Sequence, residues 1–497
     1  MNYCDDLLRA CATAPKKRLA VELDTGSEIS FEELLERVRQ LAGVLRQRGV
    51  GPGRAVAIHL YNSIDAIVVH MAVQWLGACS CFVDALVQPK ALDYYIEVTE
   101  SVLLVTRCKR DELTENVLGQ TGLLFAGDIA DCAKNQPADT SLPYPWSSDE
   151  TCYVYFTSGT TSQPKGVMLS PANHQNFTKI CAKYWQPVTD SSRHICYVPF
   201  SHGFGTIFLV PLAVRTMSEL YLLRAFHPIK VVEAIQRHGI THIYGVPSHY
   251  QQLLRMPGAA LVLRGIQMAF CAAAKLEHEL MIRWESETGS ILCEGYGLIE
   301  SCCGITWRVG ARSLGTGDMG PCPEPSLIEI SILDESGKAL PPGEVGQIAI
   351  RGRSVMKGYL KREADTESVV KDGWFLSGDE GYISASRELF MTGRIKDIIN
   401  IAGIKVSPYE VETVLLKHPS VAEAVVVAAP DPLYGEVVKA YVRKESGAFL
   451  DERDLLRFAS EHLINFQVPK SVEFLEEMPL NNMGKLDRKK LRALNPI

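Results

Sequence analysis

A chain of 497 residues, 46% hydrophobic and 22% charged, is long enough for two or three domains around a large buried core. Its formal net charge of -7 excludes the basic stripe of a dedicated nucleic-acid binder and leaves small-molecule substrates open. Fourteen cysteines are scattered without C-x-x-C spacing, none beyond Cys322, which argues against a zinc knuckle and for small buried thiols in a reducing compartment.

The N-terminal segment has early acidic residues and no apolar run of signal-peptide length, and the final Asn495-Pro-Ile497 is not a Ser-Lys-Leu type address. The expected compartment is the cytoplasm. Ser30-Phe-Glu-Glu33 is a capping box, and Leu34, Leu35, Val38, Leu41, Ala42 and Leu45 then mark one face at helical spacing. Gly49 and Gly51-Pro-Gly53 end that helix, and Ala55–Leu60 reads as a buried strand. The most apolar long stretch, Ala66 to Val83, carries His70, Gln74 and Ser80 and breaks at Gly77, so it reads as a buried helix leading into a strand and not as a membrane span. Strands near Leu103–Thr106 and Ile240–Tyr244 and a helix near Val231–Arg237 continue the alternation, which predicts an α/β fold with largely parallel sheets.

From about Leu327 the pattern becomes hairpin-rich: Leu327–Leu333 alternates, Glu335-Ser-Gly337 turns and Gln347–Arg351 returns. The last hundred residues read as a small α+β unit, with helices near Pro408–Lys417 and Asp451–His462 and strands Val421–Ala428 and Val437–Arg443. The short charged junction Gly393–Asp397 reads as a hinge.

The strongest local signal is Phe156-Thr-Ser-Gly-Thr-Thr-Ser-Gln-Pro-Lys-Gly166, fed by the strand-like Tyr153–Phe156. Its glycines let backbone approach a phosphate, its hydroxyls donate, and Lys165 supplies charge. It is not a Walker loop, because Gly166 and not Ser or Thr follows the lysine. Spacing alone leaves a Ser/Thr/Gly-rich surface turn equally open.

The loop resembles the phosphate-loop signature of the adenylate-forming superfamily of acyl- and aryl-CoA synthetases, peptide-synthetase adenylation domains and firefly luciferase. Gly295-Tyr-Gly-Leu-Ile-Glu300, Trp374-Phe-Leu-Ser-Gly-Asp379, Gly393-Arg-Ile-Lys-Asp397 and Asn482-Met-Gly-Lys-Leu-Asp-Arg488 resemble its later signatures in order and spacing. The resemblance implies a large adenylation domain over 1–394, with layered α/β sheets and a β-rich subdomain, and a small mobile α+β domain over 395–497. The hinge falls at Lys396. It also implies ATP-dependent activation of a carboxylic acid to an acyl-AMP, then transfer to a thiol.

On that resemblance, Thr157, Ser158, Gly159, Thr160, Thr161 and Lys165 hold phosphate, Gly295, Tyr296 and Gly297 hold adenine, Asp379 holds ribose, and Arg394 adds a second ribose or phosphate contact. Glu300 holds Mg2+, and Lys485 brings positive charge to the α-phosphate, where two anions must meet. His202, Gly203, Phe204, Tyr244, Val246, Ala272 and Ala273 face the acid, and Gly403 borders a pantetheine tunnel. The implied cofactors are ATP, Mg2+ and CoA or a phosphopantetheine carrier; the implied partners are the acid and, alternatively, an acyl carrier protein. Each residue also has an ordinary alternative: Tyr296 a core aromatic, Asp379 a turn residue, Glu300 and His202 helix-start residues, Arg394 and Lys485 surface charges.

Ser201 stands where amino-acid-activating relatives place an Asp, and a buried ammonium without a partner is costly, so an aliphatic or aryl acid is expected and not an α-amino acid. The Ser407–Glu412 run resembles aryl-CoA ligases. Three departures stand out: Ser162 replaces a glycine, Ile299 a threonine, and Cys271-Ala-Ala-Ala-Lys-Leu276 a glycine-rich segment whose added methyl groups are expected to narrow the acyl floor. A carrier-protein thiol or an amine as acceptor, and a non-catalytic nucleotide-binding scaffold, remain the competing readings.

Overall fold

The computed structural model describes residues 3–134, 137–157, 163–185, 188–274, 276–308, 313–314, 317–480 and 486–494. Its framework is three sheets in the first four-fifths of the chain and a fourth beyond residue 398.

An eight-stranded sheet runs, in spatial order, Thr306–Trp307, Leu292–Tyr296, Met268–Ala272, His242–Gly245, Arg193–Cys196, Glu219–Leu222, Arg18–Glu22 and Glu28–Ser30, parallel except at its two edge strands. A seven-stranded sheet places Gly358–Tyr359, Lys165–Leu169, Tyr153–Thr157, Cys79–Phe82, Ala55–His59, Leu103–Thr106 and Gly122–Phe125 side by side. Its first two strands are antiparallel to their neighbours. The expected alternation of helix and strand is therefore present, with parallel ladders at the centre of both sheets.

One central hydrophobic cluster draws on both sheets, with Phe31, Trp75, Tyr155, Phe208, Tyr244 and Phe270 among its buried members. A second cluster around Tyr197, Tyr250 and Trp284 packs helices Pro228–His238, Pro247–Arg255 and His278–Thr288 onto the eight-stranded sheet. The helix Ile64–Trp75 is buried along almost its whole length, which explains an apolar stretch without amphipathic rhythm. Its polar side chains bond inside the protein: His70 Nδ1 lies 2.9 Å from the Ser80 hydroxyl, and Gln74 Nε2 donates to the Cys152 carbonyl at 2.9 Å. Among the described residues no helix is long and apolar enough to cross a membrane.

The third sheet is the hairpin-rich segment. Glu329–Leu333 and Gly346–Arg351 pair antiparallel, and Trp374–Ile383 and Glu388–Arg394 extend the ladder. The fourth sheet takes strands only from Ile399 onward, centred on Val421–Asp431 against Gly435–Lys444. Helices Pro408–Leu415 and Glu452–His462 cover its hydrophobic cluster. The strand expected over Ile240–Tyr244 is displaced to His242–Gly245, where its first residue finds His194 across the ladder.

The capping box forms as read. The Ser30 hydroxyl accepts from the Glu33 amide at 3.3 Å, and Glu33 Oε2 accepts from the Ser30 amide at 2.8 Å, opening helix Phe31–Gln47. Ser30→Ala is expected to cost about 1 kcal/mol, read as a lowered denaturant midpoint of the first unfolding transition; an unchanged midpoint would show the cap to be redundant.

Candidate active site

Parallel strands end on one side of each sheet, and the candidate residues follow those ends, where open α/β sheets place ligands. Tyr153–Thr157 leads into the phosphate loop, Leu292–Tyr296 into Gly297 and Glu300, His242–Gly245 into Val246, and Met268–Ala272 into Ala273. Ser158, Gly159, Thr160, Thr161, Ser162 and Lys485 lie outside the described residues. Thr157 and Lys165 face each other across the hairpin that carries the loop.

The turn after Tyr296 admits no side chain at residue 297. A Cβ there would lie 1.8 Å from the Cys303 carbonyl oxygen, and one on Gly295 would lie 2.7 Å from Phe270 Cζ. Cys302 and Cys303 carry φ of 59° and 86°, so the chain folds back tightly over Gly297. This turn sends the two flanking functional side chains to different partners.

On one side, Tyr296 is buried and its hydroxyl donates to Asp379 Oδ2 at 2.8 Å. Asp379 Oδ1 meets Arg394 Nε at 3.0 Å, and the two residues are register partners in the third sheet. Burial pushes the Asp379 carboxyl above its ordinary value; the Arg394 charge and the Tyr296 hydroxyl pull it back.

On the other side, Glu300 opens the short helical turn Ile299–Ser301 and is buried. Burial raises its carboxyl above the usual range, opposed in part by the Tyr359 hydroxyl, which donates to Glu300 Oε1 at 2.9 Å. The Lys165 ammonium lies 5.0 Å from the Tyr359 ring centroid and pairs with Asp365 Oδ1 at 3.0 Å. Neither Tyr359 nor Asp365 was expected as a site residue. Their only sequence signal is a Gly358-Tyr359 pair between two recognised motifs, and spacing does not reveal its partners.

Among the described residues no three His, Cys, Asp or Glu side chains cluster to hold a metal. A lone buried carboxylate beside a phosphate loop fits Mg2+, which takes one or two carboxylates and completes its shell with substrate phosphates and water.

The expected acid-facing residues are brought together only in part. His202 and Phe204 are half-buried, and Phe204 begins a π-helical turn, Phe204–Leu209. The Phe204 ring lies 5.6 Å from Tyr244 and 6.1 Å, nearly parallel, from Phe270. Tyr244 is fully buried, and its hydroxyl is engaged with His194 Nδ1 at 2.7 Å. Val246 is buried and its amide donates to His249 Nδ1 at 3.3 Å, at the start of helix Pro247–Arg255. The Ser201 hydroxyl donates to Asp84 Oδ2 at 3.1 Å.

Of the three departures, Ile299 and the Ala272-Ala273 pair lie among the described residues. Ile299 packs against the Gly203 loop: a Cβ on Gly203 would come within 2.9 Å of Ile299 Cδ1. Ala272 is half-buried, and Ala273 is exposed with φ of 69°, a left-handed conformation that costs a residue bearing a Cβ.

Lys396 lies exposed in the turn Ile395–Asp397. Gly403 is exposed at a hairpin tip with its amide on Asn400 Oδ1 at 2.9 Å, and a Cβ there would meet nothing within 4 Å. Lys405, in the same hairpin, bridges to Glu335 at 2.5 Å.

The model of the AMP-binding enzyme family matches residues 7–360, and that of the AMP-binding enzyme C-terminal domain matches residues 410–485. The chain belongs to the AMP-binding enzyme family. It is 28% identical to a long-chain-fatty-acid–CoA ligase of Bacillus subtilis, over 94% of this chain and 90% of the relative. It is 30% identical to a feruloyl-CoA synthase of Amycolatopsis sp, over 94% of both chains. ATP-bound MatB from Rhodopseudomonas palustris superposes with a TM-score of 0.91 at 28% identity, over 99% of each chain.

Tyr296→Phe removes a donor that favours ionised Asp379. The carboxylate then takes up its proton at higher pH than in the wild type, so AMP affinity is expected to begin its acid-side fall at higher pH. Equilibrium AMP binding across the acid range checks this, and superimposable profiles would contradict the coupling.

Proposed function

We propose that this enzyme activates a carboxylic acid with ATP, forming an acyl-AMP with release of pyrophosphate, and then transfers the acyl group to the thiol of CoA. The acid is aliphatic or aryl and lacks an α-ammonium. The observation that carries this reading is the pair of charged clusters divided by the Gly297 turn: Lys165, Tyr359 and Glu300 on one side, Tyr296, Asp379 and Arg394 on the other. A nucleotide offers a polyanion for the first and a nucleoside for the second.

In this reading the acid's carboxylate attacks the α-phosphorus, and the bond to pyrophosphate breaks. Two anions approach, so the barrier falls where positive charge is already in place. Lys165 and the phosphate-loop residues Thr157, Ser158, Gly159, Thr160 and Thr161 hold the leaving phosphates, and Lys485 neutralises the reacting one. Gly295, Tyr296 and Gly297 receive adenine. Asp379 has lone pairs left for ribose hydroxyls after its bonds to Tyr296 and Arg394. Bound at Glu300, Mg2+ would neutralise phosphate charge. His202, Gly203 and Phe204 shape the mouth of the acyl site, with Tyr244, Val246, Ala272 and Ala273 behind them.

We assign residues 1–394 to a large domain and 395–497 to a small one that turns about Lys396. Support comes from the fourth sheet, which takes no described strand from before Ile399. Turning withdraws Lys485 and brings Gly403 to the thiol path; the open space around Gly403 leaves room for that approach. A cytoplasmic location fits fourteen cysteines that form no disulfide among the described residues.

Incubation with ATP, Mg2+, an accepted acid and free CoA is expected to yield acyl-CoA, AMP and pyrophosphate. Acyl-AMP without acyl-CoA would redirect the second step to a carrier-protein thiol or an amine. Lys485→Ala is expected to abolish acyl-AMP formation while still converting supplied acyl-AMP to thioester; survival of both half-reactions would remove Lys485 from the mechanism.

A further inference from the structure

Glu300 and Lys165 bear opposite charges on adjoining elements, and in a partly buried site an ion pair between them would neutralise both. They do not pair. Lys165 bridges to Asp365 at 3.0 Å, Glu300 accepts from the Tyr359 hydroxyl at 2.9 Å, and Tyr359 stands between them. One residue thus meets a cation with its ring and an anion with its hydroxyl.

Its position is over-determined by backbone. The Met356 amide donates to the Glu300 carbonyl at 2.7 Å, the Lys357 amide to the Met168 carbonyl at 3.0 Å and the Leu360 amide to the Gly166 carbonyl at 2.7 Å. Tyr359 itself pairs in register with Val167, and its amide donates to the Thr366 hydroxyl at 2.9 Å. The segment is laced to the strand that begins at Lys165 and to Glu300. Movement of either element carries the ring with it.

We propose that Tyr359 is a positioning residue of the adenylation site: its hydroxyl aims the Glu300 carboxylate, and its ring face keeps the Lys165 ammonium from collapsing onto that carboxylate. Both charges then stay available to a magnesium–nucleotide polyanion. Lys165 then gives up its Asp365 contact when phosphate arrives, and the Glu300 carboxylate is not consumed by an internal ion pair. Asp365, half-buried, is the partner that phosphate displaces. The proposal rests on the adenylation reading above.

Two variants separate the two halves of the residue. Tyr359→Phe keeps the ring and removes the donor; the Mg2+ concentration for half-maximal pyrophosphate exchange should rise about tenfold, as for a lost bond to a charged group. Tyr359→Leu removes both, lets Lys165 reach Glu300, and should weaken magnesium–ATP binding beyond the Phe variant, read by calorimetry without acid. Both variants should convert supplied acyl-AMP to thioester at the wild-type rate. An unshifted Mg2+ requirement in Tyr359→Phe, or an equal fall of both half-reactions with a lowered melting temperature, overturns the assignment. No acid-dependent exchange in the wild type would instead refute the adenylation reading itself.

Discussion

A side chain at residue 297 would sit 1.8 Å from the Cys303 carbonyl oxygen, and the arrangement of the candidate site follows from that exclusion. Only glycine lets the chain leave its strand and double back within a few residues. The reversal throws Tyr296 toward the third sheet and Glu300 toward the phosphate-loop hairpin. Two groups of different chemistry thereby stand beside one another with separate hydrogen-bond partners, while the Arg394 charge is felt by both carboxyls. Cys302 and Cys303, both at positive φ, absorb part of the strain of the same reversal.

Each buried charge at the site has its own compensation. Asp379 has Arg394 and the Tyr296 hydroxyl; Glu300 has the Tyr359 hydroxyl; Lys165 has Asp365 and an aromatic face. A buried carboxylate left without such contacts would take up a proton, as the upward push on Asp379 and Glu300 indicates. The contacts oppose part of that push and leave some carboxylate lone pairs unused. That combination suits a site that must accept a metal–nucleotide and a nucleoside in turn.

Features that depend on neighbours in sequence were legible before the structure. The Ser30 capping box, the break at Gly77 between helix Ile64–Trp75 and strand Cys79–Phe82, and the hairpin after Leu333 all follow from local pattern. The identities of Lys165, Glu300, Asp379 and Arg394 followed from ordered motifs, and Asp379 and Arg394 prove to be register partners. What escaped was pairing at long range. Tyr359 reaches Glu300 across 59 positions through a two-residue strand that has no signature of its own. Ile299 read as a replaced threonine, and its apolar contact with the Gly203 loop needed coordinates. Ala273 read as added bulk, and its left-handed backbone needed coordinates to be seen. The tunnel role of Gly403 came from resemblance, and among the described residues a Cβ there would meet nothing within 4 Å.

The account's central claim is that these paired clusters activate a carboxylic acid through its adenylate. Acid-dependent exchange of labelled pyrophosphate into ATP, run over a panel of aliphatic, aryl and α-amino acids, tests it most directly. The account predicts exchange that requires an acid, with aliphatic or aryl members active and α-amino acids inactive. Exchange with none of the panel, or with α-amino acids alone, would contradict it.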